Sequence, residues 1–190
     1  ITDVFFSAGR NEGYILSKSS IQIVPFDRLG ELQTLPDLKL GDDDFIKDLP
    51  HRTALAAGDA DYIMVRGIAS SELLVVDMKA GALSGATTIV DLGGVPTDLQ
   101  TTPGATHAVV VLRAESQLKI IKIPEGFTDP EYVKTVDLAG YTVGTLRIAY
   151  DSEKDQVWGL LYTTALYDEH LLLVDIYEPT NLEYLGNGDN

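Results

Sequence analysis

Several short stretches of this chain hold side chains whose types and spacing could do chemistry. In GDDDF, Gly41 to Phe45, three carboxylates stand in a row at Asp42, Asp43 and Asp44. Adjacent carboxylates repel one another, and a hard cation such as calcium would relieve that repulsion. A calcium loop takes its ligands from alternate positions, however, so the run reads equally as a solvated loop. DSEKD does alternate, with Asp151, Glu153 and Asp155, but Asp and Ser are also the residues that tight turns favour. Asp42, Asp43 and Asp44 are therefore the metal candidates, calcium is the ion they would suit, and no other cofactor is indicated.

The remaining candidates for catalysis are thin. His51, His107 and His170 are far apart, and no pair has zinc-ligand spacing. They read as isolated surface or capping residues. SQLK, Ser116 to Lys119, satisfies the S-x-x-K pattern of serine–lysine nucleophiles. That chemistry needs the pair on one helical turn, whereas here the stretch enters a strand, which sends the two side chains to opposite faces. GALSG lacks the spacing of a nucleophile elbow, and no phosphate-binding glycine loop occurs. No catalytic residue is assigned.

Charge narrows the partners. The 190 residues carry 29 acidic and 14 basic side chains, a net charge of −15. A phosphate backbone would be repelled, which argues against nucleic acid, and an anionic membrane surface is disfavoured for the same reason. An acidic surface keeps a protein soluble and suits cations or a basic partner. There is no cysteine, so disulfides and thiolate chemistry are excluded. No apolar run approaches the roughly 20 residues of a membrane-spanning helix. The chain begins at Ile1 with no signal-peptide pattern, which is expected of a mature, trimmed or partial chain.

The elements that must carry these residues are repeated. DYIMVRG at 61–67, HAVVVLR at 107–113 and QVWGLLY at 156–162 begin 46 and then 49 residues apart. The segments that follow them, ELLVVDM at 72–78, QLKIIKI at 117–123 and HLLLVDI at 170–176, step by 45 and 53, and SIQIVPF at 20–26 is an earlier copy. DLKLG at 37–41, IVDLG at 89–93 and TVDLA at 135–139 form a third series. Each copy consists of short runs rich in Val, Ile, Leu and Tyr, separated by turn residues such as Gly58-Asp59, Pro103-Gly104 and Asp151-Ser152. Runs such as Val109 to Leu112 and Leu171 to Val174 are apolar throughout, so both their faces must be covered. The best-defined copy predicts strands at about 97–102, 107–113, 117–123 and 133–138.

Four strands per period of about 45 residues is the signature of a β-propeller blade. The predicted fold class is all-β, a β-propeller of four-stranded antiparallel blades at about 1–41, 52–92, 97–138 and 144–185. It is read as one propeller domain or a segment of a larger one. The first copy shows no inner strand before Val4, and one helical turn is expected over Phe45 to Leu49. Trp158, inside a strand, is expected in the core between blades, and Tyr167, in TTALYDEH, on an exposed loop; Tyr150 and Tyr162 lie nearby.

VDLGGVPTDLQTTPGATHAVVVLRAESQLKIIKI resembles the repeat of the lactonase-like, YVTN-type β-propellers of bacterial envelope proteins. Val90, Asp91, Leu92, Pro96, Gly104 and the run Val109 to Val111 stand where that repeat has its outer strand, blade-opening proline, turn and apolar strand. The tyrosine–valine motif itself is absent, with Ile63, Val110 and Trp158 near its place. The resemblance implies a secreted or cell-envelope protein. It also leaves two functions open. One is a non-enzymatic WD40-like or YVTN-like scaffold, binding a protein partner, a ligand or the remaining blades of a larger propeller. The other is a propeller hydrolase with a metal at the central channel. Carboxylate, Asn or His side chains converging at a channel mouth would favour the enzyme. Salt-sensitive association would point to a module whose acidic face meets a basic neighbour.

Overall fold

Strand-forming sequence and turn chemistry alternate along the whole chain, and the structure, a computed structural model, follows that alternation. It describes residues 1–7, 10–17, 20–26, 33–34, 50–56, 61–78, 86–138, 140–165, 168–179 and 182–187, with side chains left aside at 33–34, 50–56, 86, 163–165, 168–170 and 182–187. Among the described residues there are sixteen strands in four antiparallel four-stranded sheets, each a simple meander. The predicted helical turn at Phe45 to Leu49 lies outside the described residues.

Sheet 1 contains β1 (Asp3–Ser7), β2 (Glu12–Leu16), β3 (Ile21–Pro25) and β4 (Gln33–Thr34). Sheet 2 contains β5 (Pro50–Ala56), β6 (Tyr62–Gly67), β7 (Glu72–Asp77) and β8 (Ala86–Asp91). Sheet 3 contains β9 (Pro96–Thr101), β10 (His107–Leu112), β11 (Gln117–Lys122) and β12 (Val133–Asp137). Sheet 4 contains β13 (Val143–Asp151), β14 (Gln156–Ala165), β15 (Asp168–Asp175) and β16 (Leu182–Asn187). The strands of sheet 3 fall within a residue of the sequence reading. In sheet 1 no strand precedes the one at Val4, as read, and β1 itself takes the first place in the sheet. DVFFS has only one face packed, so Val4 and Phe6 stay exposed.

The chain divides into two compact units, Ile1–Pro96 and Thr97–Asn190. In the first, alternate residues of the middle strands build the core: Tyr14 and Leu16, Ile21 and Ile23, Ile63 and Val65, Leu74 and Val76, with Met78. In the second, Val109 and Val111, Leu118 and Ile120, Val136, Val143, Leu146, Val157, Leu161, Leu172 and Val174 pack together. Period-two alternation puts each of these pairs on one side of its strand. Of the runs predicted to need cover on both faces, Val109 to Leu112 has it, since Ala108 and Val110, on the other side of β10, are as buried as Val109; in Leu171 to Val174 only Leu172 and Val174 are buried, and Leu171 and Leu173 are half-buried. Burying one such side chain contributes roughly 1.5–3 kcal/mol.

Hydrogen bonds tie the sheets together within each unit. Asp98 of β9 is almost fully buried, and its Oδ2 accepts the backbone N–H of Leu146 in β13 at 3.0 Å. In the first unit the Arg10 guanidinium donates to the Met78 carbonyl at 3.3 Å and pairs with Glu12, whose carboxylate also accepts the buried Tyr14 hydroxyl at 2.8 Å. Burial and the neighbouring Glu12 push the Tyr14 hydroxyl pKa up, so it stays a donor.

Candidate functional site

The sequence-read candidates do not converge. Asp42, Asp43 and Asp44 lie outside the described residues, as do GALSG and Tyr167. His51 falls in β5, His107 opens β10 and His170 lies in β15, three different sheets. Asp151 and Asp155 flank the β13–β14 turn and serve it. Asp151 Oδ1 accepts the N–H groups of Glu153 and Lys154 at 3.0 and 3.2 Å, and Asp155 Oδ1 accepts the Tyr150 hydroxyl at 2.8 Å. Ser116 sits in the β10–β11 turn with a positive φ of 52°, while Lys119, inside β11, donates to Thr135 Oγ1 at 2.8 Å. Among the described residues no three Asp, Glu or His side chains are grouped to hold a metal ion.

What the structure assembles instead is a basic, aromatic group at one end of sheet 3. The β10–β11 register sets His107 opposite Lys122, and the β11–β12 register sets Ile120 opposite Lys134. Cross-strand partners share a face, and so do alternate residues of one strand. His107 therefore continues the row of Val109 and Val111, Lys122 that of Leu118 and Ile120, and Lys134 that of Val136. These are the rows that pack on sheet 4. Where that core ends, the next rung is polar.

Tyr177, just beyond β15, reaches this rung from sheet 4. Its ring centroid lies 5.3 Å from that of His107, and its hydroxyl is 3.4 Å from Thr106 Oγ1. Its backbone carbonyl accepts the Lys134 ammonium at 3.3 Å. Asp175 holds the turn by accepting the N–H groups of Tyr177 and Glu178 at 2.9 and 3.1 Å. Thr106 Oγ1 also lies 3.1 Å from His107 Nδ1. Lys122 makes an ion pair with Glu125 at 3.1 Å and sits 5.1 Å above the Tyr132 ring. Partial burial, then Lys134 and Lys122, hold the His107 imidazole below its ordinary pKa, only partly opposed by Glu125. Such a group gathers two ammonium groups and several N–H and O–H donors in an otherwise acidic chain. The sequence reading missed it, although pairing the two halves of the predicted hairpin would have set His107 against Lys122.

A second feature is apolar. On the side of sheet 1 turned away from its core, Phe6 is 64% and Val4 47% exposed, beside Ile15, Val24 and Phe26. Phe6 and Phe26 lie 5.9 Å apart over Gly13, where a Cβ would come within 3.2 Å of one ring. Sheet 4 has a matching side, on which Trp158, Leu160, Leu171 and Leu173 are only half-buried. Trp158 thus stands apart from the core that was expected to hold it, because Val157, Gly159 and Leu161 are the β14 residues facing that core.

No family model and no curated protein sequence matches the chain. Solved structures do. The β-propeller domain of Cps50 (Swd1) from Myceliophteria thermophila aligns with a TM-score of 0.65 at 13% identity, over 98% of this chain and 56% of that one. Streptogramin B lyase aligns at 0.64 and 8% identity over 98% and 55%. Hydrazine synthase from Kuenenia stuttgartiensis aligns at 0.63 and 12% identity over 96% and 48%. The chain spans about half the length of these structures. At such identities the likeness shows fold alone: four blades of a β-propeller.

Proposed function

We propose that this chain is a non-enzymatic β-propeller scaffold for protein or ligand binding. On this reading it is part of a larger propeller of the lactonase-like, YVTN-type kind, in a secreted or envelope-associated bacterial protein. The observation that carries the reading is the bare apolar side of sheet 1, Val4, Phe6 and Phe26. A contiguous exposed apolar patch marks an interaction surface, and the occupant that suits a blade face is the face of another blade. The half-buried side of sheet 4 around Trp158 and Leu160 supports the same reading. Antiparallel sheets held at both sides form a rigid support from which connecting loops can present a binding surface.

The test is the association state of the 190-residue chain on its own. Self-association that rises with concentration is expected in sedimentation, with Phe6→Asp shifting the chain toward monomer. A wild-type chain that stays monomeric and melts cooperatively would overturn the larger-propeller reading. Metal-dependent lactone hydrolysis that a chelator abolishes would replace the scaffold with the hydrolase.

A further inference from the structure

We propose that the polar cluster formed by Thr106, His107, Lys134 and Tyr177 at the end of sheet 3 is a binding site for one oxyanion group, a carboxylate or a phosphate, carried by a ligand or partner. The inference rests on the scaffold reading only in that the site binds its ligand without transforming it.

Three observations carry it. The first is placement. His107 and Lys122 form the rung directly after Val109 and Ile120, and Lys134, opposite Ile120, follows Val136 along β12 at the end of the apolar rows. Apolar residues there would have extended the core, yet two ammonium groups and an imidazole stand in their place, in a chain with twice as many acidic as basic residues. The second is the donors. Lys134 gives one of its three protons to the Tyr177 carbonyl, His107 uses Nδ1 toward Thr106, and the Tyr177 hydroxyl lies at long range from the same Thr106 oxygen. Two Lys134 protons and the His107 Nε2 edge remain to be satisfied from outside. The third is that the chain already shows the chemistry once. Glu125 seats its carboxylate on Lys122 at 3.1 Å, at the neighbouring position, and its own backbone N–H first, then Lys122, hold its carboxyl pKa down.

Electrostatics decides which charge would be welcome. The charged groups acting on His107 are Lys134, Lys122 and Glu125, so cations outnumber the single carboxylate. An incoming cation would add to that repulsion, whereas an oxyanion beside Lys134 and His107 relieves it. It would also raise the imidazole toward its ordinary pKa and make Nε2 a charged donor.

The experiment follows acylation of the histidines in the dilute full chain, mapped peptide by peptide by mass spectrometry, with inorganic phosphate, acetate or chloride added at equal ionic strength. Phosphate or acetate is expected to slow acylation of His107 in a saturable way and to leave His51 and His170 unchanged. Lys134→Gln, at an exposed position, should raise the protecting concentration roughly two- to fivefold, the range an exposed charge pair supports. Saturation by acetate alone identifies a carboxylate source, and by phosphate alone a phosphate source. Equal effects of all three salts, or protection indifferent to Lys134→Gln, would overturn the site. The outcome is independent of the sedimentation test: a monomeric chain removes the neighbouring blades and leaves His107 protection to be read on its own.

Discussion

The carboxylate of Asp98 offers the sharpest quantitative test of how sheets 3 and 4 are joined. Its side chain is 4% exposed and links strands 48 residues apart, through Oδ2 to the Leu146 N–H at 3.0 Å. Its Oδ1 accepts the Leu99 N–H at 2.9 Å. Asp98→Ala removes both acceptors and strands the N–H of a fully buried residue. Leaving a buried donor unsatisfied costs about 1–3 kcal/mol, and more when the lost acceptor was charged. For a chain of this size, each kcal/mol corresponds to about 2–4 °C in Tm. A fall of about 4–12 °C is therefore expected for a loss of about 2–3 kcal/mol. Asp98→Asn keeps one carbonyl oxygen in place and should lose less than half as much. Urea unfolding at low protein concentration, followed by the fluorescence of the single tryptophan, Trp158 in β14, reads sheet 4 directly. An Ala variant within about 0.5 kcal/mol of the parent, the range of an ordinary surface change, would refute the assignment. So would an Asn variant as damaged as Ala, because the argument depends on the acceptor and not on shape.

Other outcomes follow from the packing. A Cβ at Gly126 would meet Ile121 Cγ2 at 2.7 Å and the Tyr132 carbonyl at 2.9 Å, so Gly126→Ala should destabilise by about 1–3 kcal/mol in the same urea assay. At Gly159 the nearest atom is the Ile176 side-chain tip at 3.0 Å, which can move, so Gly159→Ala should cost less than Gly126→Ala. Leu161→Ala, in the core of the second unit, should cost about 2–5 kcal/mol, read as a lower urea midpoint at unchanged slope. Because His107 is held below its ordinary pKa, the unfolded chain binds its proton more readily. Its contribution to stability is therefore full above the unfolded value near 6.5 and is lost as pH falls from there to the lowered folded value. His107→Gln should flatten the stability profile over that window, and a profile unchanged in slope would contradict the assignment.

Blade structure was legible because it is written in local chemistry. Runs such as Val109 to Leu112 and Leu171 to Val174 are apolar enough to be read as strands and turn residues bracket them, though only the first is covered on both faces. For β1 the sequence could not show that the Val4 and Phe6 side is left exposed, because an apolar residue type does not say whether a neighbour covers it. Which side of β14 carries Trp158 was hidden for a related reason. Membership of a strand does not say which of its two faces is covered, and a shift of one residue exchanges them.

The sequence by itself determined the strands, their repeat in fours and the acidic surface, since each depends on residues close together in the chain. Only the tertiary structure decided which distant residues share a face and which side of a sheet is left bare. His107, Lys122 and Lys134 become one group through strand register, and Tyr177 joins them when sheet 4 packs on sheet 3. Register and packing are set by the whole core at once, so no local stretch of sequence contains them.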